Sequence, residues 1–354
     1  MNEIKLNETP VRTARNFNIN NIKIENVDIP EVLEKFENVE LIYNSSELDI
    51  NSNIEKLNLK YGLGDFFKNQ ISEKSNYKLK VNFNNKKNED FQINFKFNQK
   101  NQNLVEHIEF TANENTKTNV IIKYECESGE NFYHNGVIKT LAKSNSTINV
   151  IIINFMNEVS NNFLSIENNI ESNSNVNYYI IDFGAKNSIT NYYSNLFGLK
   201  SINKLNTIYL GKNEQLFDLN YIAELYGKES NIDIEVQGAL TDSAKKHFKG
   251  TIDFKKGCKK AIGNENENCM LLSEKAKSLA LPMLLCQEEE VEGNHSSSAG
   301  KIGEKELFYI MSRGFERKEA LKLMVRAKFN KIIQEIKNDN IKERILQEID
   351  RRLD

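Results

Sequence analysis

Four histidines and four cysteines are the side chains of this 354-residue protein best suited to hold a metal or act as nucleophiles. The histidines are His107, His134, His247 and His295, and the cysteines are Cys126, Cys258, Cys269 and Cys286. They form no CxxC pair and no HExxH, and the chain has no Gly-rich phosphate loop. Cys258, Cys269 and Cys286 are soft enough to bind a transition metal. Their spacings of 11 and 17 nevertheless fit no metal knuckle, and a free cysteine is by default a small buried hydrophobe. His295 lies in Glu-Gly-Asn-His-Ser-Ser-Ser-Ala-Gly, a small polar stretch that reads as a loop, where imidazole is ordinarily solvated. The acidic run Glu288-Glu289-Glu290 with Glu292 suits either a hard cation or a solvated strand edge. The basic run from Lys255 to Lys260 reads as a solvated turn.

The elements that must position these residues follow from composition and period. Hydrophobic residues make up 39% of the chain, charged residues 27%, and the net charge is −3. No basic stripe marks a nucleic-acid binder. No stretch approaches the ~18 apolar residues of a membrane span, and the N-terminus lacks the apolar core of a signal peptide. A cytoplasmic location with free thiols is therefore expected. Residues 1–76 read as a mixed, partly helical region. Pro30 is suited to start a helix over Pro30–Phe36, and the Gly62-Leu63-Gly64 triplet breaks the apolar stretch at 53–74.

Residues 77–300 contain only one proline, Pro282, and are built from short β-branched and aromatic runs such as Val150-Ile151-Ile152-Ile153 and Tyr178-Tyr179-Ile180-Ile181. Polar corners separate the runs and end at residues 119, 149, 177, 206 and 233, with spacings of 30, 28, 29 and 27. A fixed period of this size is the mark of stacked repeats, and asparagine suits the corners because it tolerates left-handed backbone. The expected architecture is mostly β: a right-handed β-helix, or solenoid, with a helical cap at its C-terminal end. Over 301–354 the period changes to that of helices at Glu304–Arg313, Glu316–Lys337 and Ile341–Leu353. Leu321, Val325, Phe329, Ile332, Ile333 and Ile336 make one apolar stripe, suited to capping the solenoid or to docking a partner.

The region from Phe248 to Gly314 also resembles the C-terminal core of the SufB/SufD family. The resemblance is carried by Phe248-Lys-Gly-Thr-Ile252, Asn264-Glu-Asn-Glu-Asn-Cys-Met-Leu-Leu-Ser273, Leu281-Pro-Met-Leu284, His295-Ser-Ser-Ser-Ala-Gly-Lys-Ile302 and Leu307-Phe-Tyr-Ile-Met-Ser-Arg-Gly314. It implies a scaffold in iron–sulfur cluster assembly and not an enzyme. It further implies two partners: a SufB-like subunit at the solenoid end, and a SufC-like ABC ATPase at the C-terminal helices through Leu321, Val325, Phe329 and Ile333. Where the SufB type has a cysteine before the Ser-Met-Leu-Leu-like segment this chain has Glu267, and Ser296 replaces the Glu after the histidine. Both departures point to the SufD type.

On this resemblance His295 faces a cysteine of the partner, and Cys269 is a weaker substitute. No cofactor is held stably by this chain alone, and iron or a nascent cluster visits the heterodimer interface. Phe308, Tyr309 and Arg313 are expected to pack between the helices and the last coil, with Gly314 as a left-handed helix terminus. Two other readings remain: a β-helix enzyme acting on polysaccharide, and a self-sufficient homodimeric scaffold using Cys269 with His295.

Overall fold

The computed structural model describes all residues except 1–2, 14–18, 26, 46–47, 85–88 and 128. From Tyr77 to Lys301 the chain winds back and forth between two nine-stranded sheets. Successive strands fall in opposite sheets, so each coil of the solenoid contributes one strand to each. Sheet I runs from Glu89–Phe97 to Ile262–Leu271 and ends on Glu292–Lys301; sheet II runs from Tyr77–Phe83 to Lys245–Phe254 and ends on Lys277–Cys286. Within each sheet these strands pair in parallel.

The corner chemistry is as the sequence suggests at Asn115, Asn145 and Asn173, all left-handed with φ between 56° and 62°. Later turns of the same column place Lys200, Glu229 and Lys260 in that conformation instead. Each corner amide is satisfied by the next coil: Asn173 N donates to Leu199 O, Lys200 N to Lys228 O, and Glu229 N to Lys259 O. Asn119, Asn149 and Asn177, which end the expected corners, lie within strands, and their side-chain amides stack, each step a 2.8 Å hydrogen bond. One register differs from expectation. The partner of Asn177 is Lys204, not Asn206, so the last two spacings are 27 and 29. A residue slip of two keeps the same side chains inside, which is why the sequence pattern tolerated it.

Alternate residues of both sheets fill the interior. Tyr178, Tyr192, Tyr221 and Phe248 form an edge-to-face aromatic row with centroids 5.3 to 5.9 Å apart. The proline-led helix expected at 30–36 does not form. Phe36 is instead buried against Phe95 and Phe97, where its ring closes the first coil. Two antiparallel strands, Val39–Tyr43 and Asp49–Asn51, finish the two sheets at that end. The helix that does form before the solenoid is α1, Asp65–Lys74, entered through the positive φ of Gly62 and Gly64. It lies on the outside of sheet II, with Phe67 4.7 Å from Phe163 and Gln70 accepting from Tyr133 and Asn135.

Three helices follow the solenoid: α2, Glu304–Met311; α3, Arg317–Glu335; and α4, Asp339–Leu353. They do not cap its end. α3 and α4 lie along the flank of sheet I, over the outward residues Ile153, Phe155, Ile181, Phe183, Ile208, Leu210 and Ala239. Those residues are apolar on a face that a solvated sheet would leave polar, so a second layer is needed to cover them. The stripe residues Val325, Phe329 and Ile333 are consumed in this packing and are almost fully buried, while Leu321 is half-buried near Ile302 and Leu307. As a partner-docking stripe, Val325, Phe329 and Ile333 are therefore corrected: their own solenoid covers them.

Phe329→Ala should destabilise this layer by about 3–5 kcal/mol. Hydrogen exchange should then show α3 and α4 losing protection while the interior strands keep theirs.

Candidate functional site at the open end of the solenoid

Among the described residues no further coil stacks on Glu292–Lys301 or Lys277–Cys286. All ten residues of Glu292–Lys301 are exposed. The segment is thus a strand, not the loop its Ser and Gly content suggests. Its backbone is held in parallel register by Ile262–Leu271, and small polar side chains lock the two together: Ser296 Oγ donates to Asn266 Oδ1 at 2.7 Å and Ser297 Oγ to Glu267 Oε2 at 2.8 Å. His295 is in register with Glu265 and two residues before Ser297, so it sits on the side of the sheet that continues the interior face.

Directly beneath lies a charged cluster that the sequence reading did not assemble. Lys246 Nζ and Glu267 Oε1 form a 2.7 Å ion pair with both side chains fully buried. Tyr209 Oη donates to the same carboxylate, and Lys246 also donates to the carbonyl of Leu279. Gly238 leaves room for the Tyr209 ring, since a Cβ there would fall 1.8 Å from Cζ. Two residues before Glu267 is Glu265, also buried. Burial, and secondarily the neighbouring Glu267 charge, push its carboxyl up to about 8. The alternation of Gly263, Glu265, Glu267 and Cys269 with asparagines is a period-2 signal that puts these carboxyls inside. Nothing in the sequence tied Lys246 to them.

Cys269 shares the inward face, but it is buried and burial raises its thiol, so it presents no thiolate. Cys258 is likewise buried and pushed up to about 11. Cys286, in contrast to the default for a free cysteine, is exposed at the far edge of the last coil, where its thiol meets the carbonyl of Glu288. Glu288 accepts from Gly257 N and so shapes the turn between coils. Among the described residues no three His, Cys, Asp or Glu side chains converge as a metal-ligand set.

The second exposed feature is on the helices. Phe308 is 73% exposed and Tyr309 58%, with Met311, Phe315 and Leu323 also open to solvent. The expectation that Phe308, Tyr309 and Arg313 pack against the last coil is overturned: Arg313 stacks on the Tyr309 ring at 5.0 Å and donates to its hydroxyl, and all three lie on the surface. Helix α2 buries Leu307 instead, on the opposite side. Gly314 does take the left-handed conformation, φ +95, and its N–H donates to Met311 O.

The described residues thus form a parallel β-solenoid with a flanking helical pair and two exposed surfaces, its last strand and the outer face of its helices. Residues 95–328 match the family described as "SUF system FeS cluster assembly, SufBD core domain". The chain belongs to the SufB/SufD family, and its kinship is of the SufD type. It is 29% identical over 166 residues to the iron–sulfur cluster assembly protein SufD of Bacillus subtilis, covering 47% of this chain and 38% of that protein. It is 24% identical over 114 residues to SufD of Escherichia coli, covering 32% and 27%. A SufBD family protein of Pyrococcus horikoshii is 30% identical over 133 residues, covering 38% and 29%. The chain thus spans well under half the length of these curated relatives. No helix among the described residues is long and apolar enough to cross a membrane.

Two outcomes follow from the buried charges. A carboxyl whose folded pKa is about 8 against an ordinary 4.5 binds extra protons in the folded state between those values. Stability is therefore lost as pH rises through that window. Glu265→Gln should melt higher than the parent at pH 9 and close to it at pH 4. Separately, Lys246→Met should cost about 3–5 kcal/mol by stranding Glu267, with Lys246→Met/Glu267→Leu recovering most of that loss in chemical denaturation.

Proposed function

We propose that this chain is the SufD-type scaffold subunit of an iron–sulfur cluster assembly complex and has no catalytic activity of its own. The observation that carries the reading is the uncovered last coil. A fully exposed terminal strand whose sheet stops without a covering element is a template for pairing with another chain. Family membership supports a scaffold role in the Suf system. The occupant of that edge is a SufB-like subunit, and the interface so formed is where iron or a nascent cluster passes, against His295. Imidazole accepts iron of borderline softness. The missing thiolate comes from the partner, because Cys269 is buried and protonated. The same fact counts against a self-sufficient homodimer that relies on Cys269.

The ATPase partner, a SufC-like ABC protein, docks on the exposed face of α2 and α3 around Phe308, Tyr309, Met311 and Phe315. A patch of this apolar character on an otherwise polar helical layer is a docking surface. Because α3 and α4 rest on four adjacent strands of sheet I, from Thr147–Phe155 to Asn231–Leu240, movement of the ATPase is transmitted to the solenoid as a whole. The setting for this work is the cytoplasm.

Co-expression with the SufB-like and SufC-like proteins of the same genome should yield a complex of one copy of this chain, one SufB-like chain and two ATPases by native mass. Phe308→Glu/Tyr309→Glu should lose the ATPase, keep the SufB-like chain and leave the melting temperature unchanged. A monomer that ignores both partners would overturn the scaffold reading and turn attention to polysaccharide-active solenoids.

A further inference from the structure

A groove of about 800 Å³ lies on the outer face of sheet I, between the strand Val39–Tyr43 and the turn that joins α3 to α4. That volume is within the range of ligand sites. None of its residues belongs to the last coil or to the exposed face of α2. Two rows that cross the strands make its floor. The first is Asp90, Asn119, Asn149, Asn177 and Lys204, neighbours in register on five successive strands. At about 4.8 Å per strand this row is about 19 Å long. Asn177 donates to Asn149, Asn149 to Asn119 and Asn119 to Asp90, each at 2.8 Å. A side-chain amide has two N–H donors and two lone pairs, so each asparagine keeps an N–H and a lone pair for another molecule. The second row is Ile121, Ile151 and Tyr179, apolar and only half-buried. Ile42 and Tyr43, about half exposed, form one bank.

The charges of the groove are not matched to one another. Its two carboxylates are engaged: Asp90 accepts from Asn119 and Asn44, and Glu335 accepts from the Tyr179 hydroxyl at 3.3 Å. Lys117, Lys204 and Lys337 are exposed and make no ion pair among the described residues, although Asp233 is beside Lys204 in register. A row of amides, each offering N–H and C=O together, matches the peptide unit, which offers the same pair. An extended segment of polyproline II type has no internal hydrogen bonds, and at about 3.1 Å per residue about six residues span the row. Apolar side chains of such a segment would rest on Ile121, Ile151 and Tyr179, and acidic ones would meet the lysines. A neutral saccharide would suit the amides but leave the three ammonium groups unanswered.

We infer that this groove is a docking site for an extended acidic peptide segment of a partner protein, held by its backbone on the asparagine row and by its carboxylates on Lys117, Lys204 and Lys337. The site is separate from the two contacts proposed above and does not depend on them.

The test is selection of a phage-displayed library of random 12-residue peptides on the immobilised full chain, followed by fluorescence anisotropy with the enriched peptides made synthetically. Acidic peptides that also carry apolar residues should be enriched, and their binding should weaken as salt rises. Lys204→Glu/Lys337→Glu should weaken that binding about tenfold or more, and Asn149→Ala should weaken it too. Lys301→Glu, an exposed lysine outside the groove, should leave it unchanged. The lysines replaced are on the surface, and a parent-like thermal melt confirms that the variants fold. No enrichment, enrichment of basic or neutral peptides, or equal binding by the folded double variant overturns the site. A dimer of the full chain that the double variant breaks, seen by sedimentation, assigns the face to a second copy and also overturns it. So does a small anion released when the purified chain is denatured and retained by the parent but not by the double variant.

Discussion

In a parallel solenoid each coil can satisfy its backbone N–H and C=O groups only through the coils above and below it. That constraint governs both ends of this protein, and the ends are solved differently. At the first coil the antiparallel strands Val39–Tyr43 and Asp49–Asn51 finish the sheets, and Phe36 closes the interior against Phe95 and Phe97. At the last coil nothing equivalent follows, and the ten residues of Glu292–Lys301 stand open. The helices that come next in the chain turn away to the flank of sheet I. The asymmetry concentrates unsatisfied backbone and exposed interior face at one place.

The interior behind that opening is polar in a graded way. Near the middle, a row of buried groups is joined by hydrogen bonds: His134 contacts Glu106 and Asn162, the Asn162 amide donates to Ser188, and Ser188 Oγ donates to Asp182 at 2.6 Å. Burial still lifts Asp182 to about 6 despite the hydrogen bonds from Ser188 and Asn154. Leu219, Tyr221 and Phe248 form an apolar plug between this row and the last coils. Beyond the plug, the Lys246–Glu267 pair is satisfied but Glu265 is not.

The helical layer shows how burial decides between two uses of one stripe. Val325, Phe329 and Ile333 have the spacing of a docking helix, yet sheet I carries Ile153, Ile181 and Ile208 on its outer face and claims them. What is left for another molecule is the reverse side of the layer, where Phe308 and Tyr309 are exposed and Arg313 is held over the Tyr309 ring.

Much of this was determined by the sequence alone. Runs such as Val150–Ile153 and a corner every 27 to 30 residues specify stacked strands, because period-2 β-branched runs have few other stable arrangements. The change to period 3.6 after Gly300 specifies the helices, and the left-handed terminus at Gly314 follows from its residue type. The segment Pro30–Phe36 read as a helix because local preference was the only information there, and burial of Phe36 overrode it. His295 stood out by its surroundings, but Ser and Gly content hid that it lies on a strand, since an edge strand need not bury anything. Tertiary structure alone decided the rest. Lys246 and Glu267 meet although 21 residues separate them, because their strands, Lys245–Phe254 and Ile262–Leu271, lie in opposite sheets and both side chains point into the interior between them. The outer face of sheet I had to be covered, and only the folded solenoid shows which helix face covers it, because a sheet buried on both sides loses the alternation that would say which residues point inward.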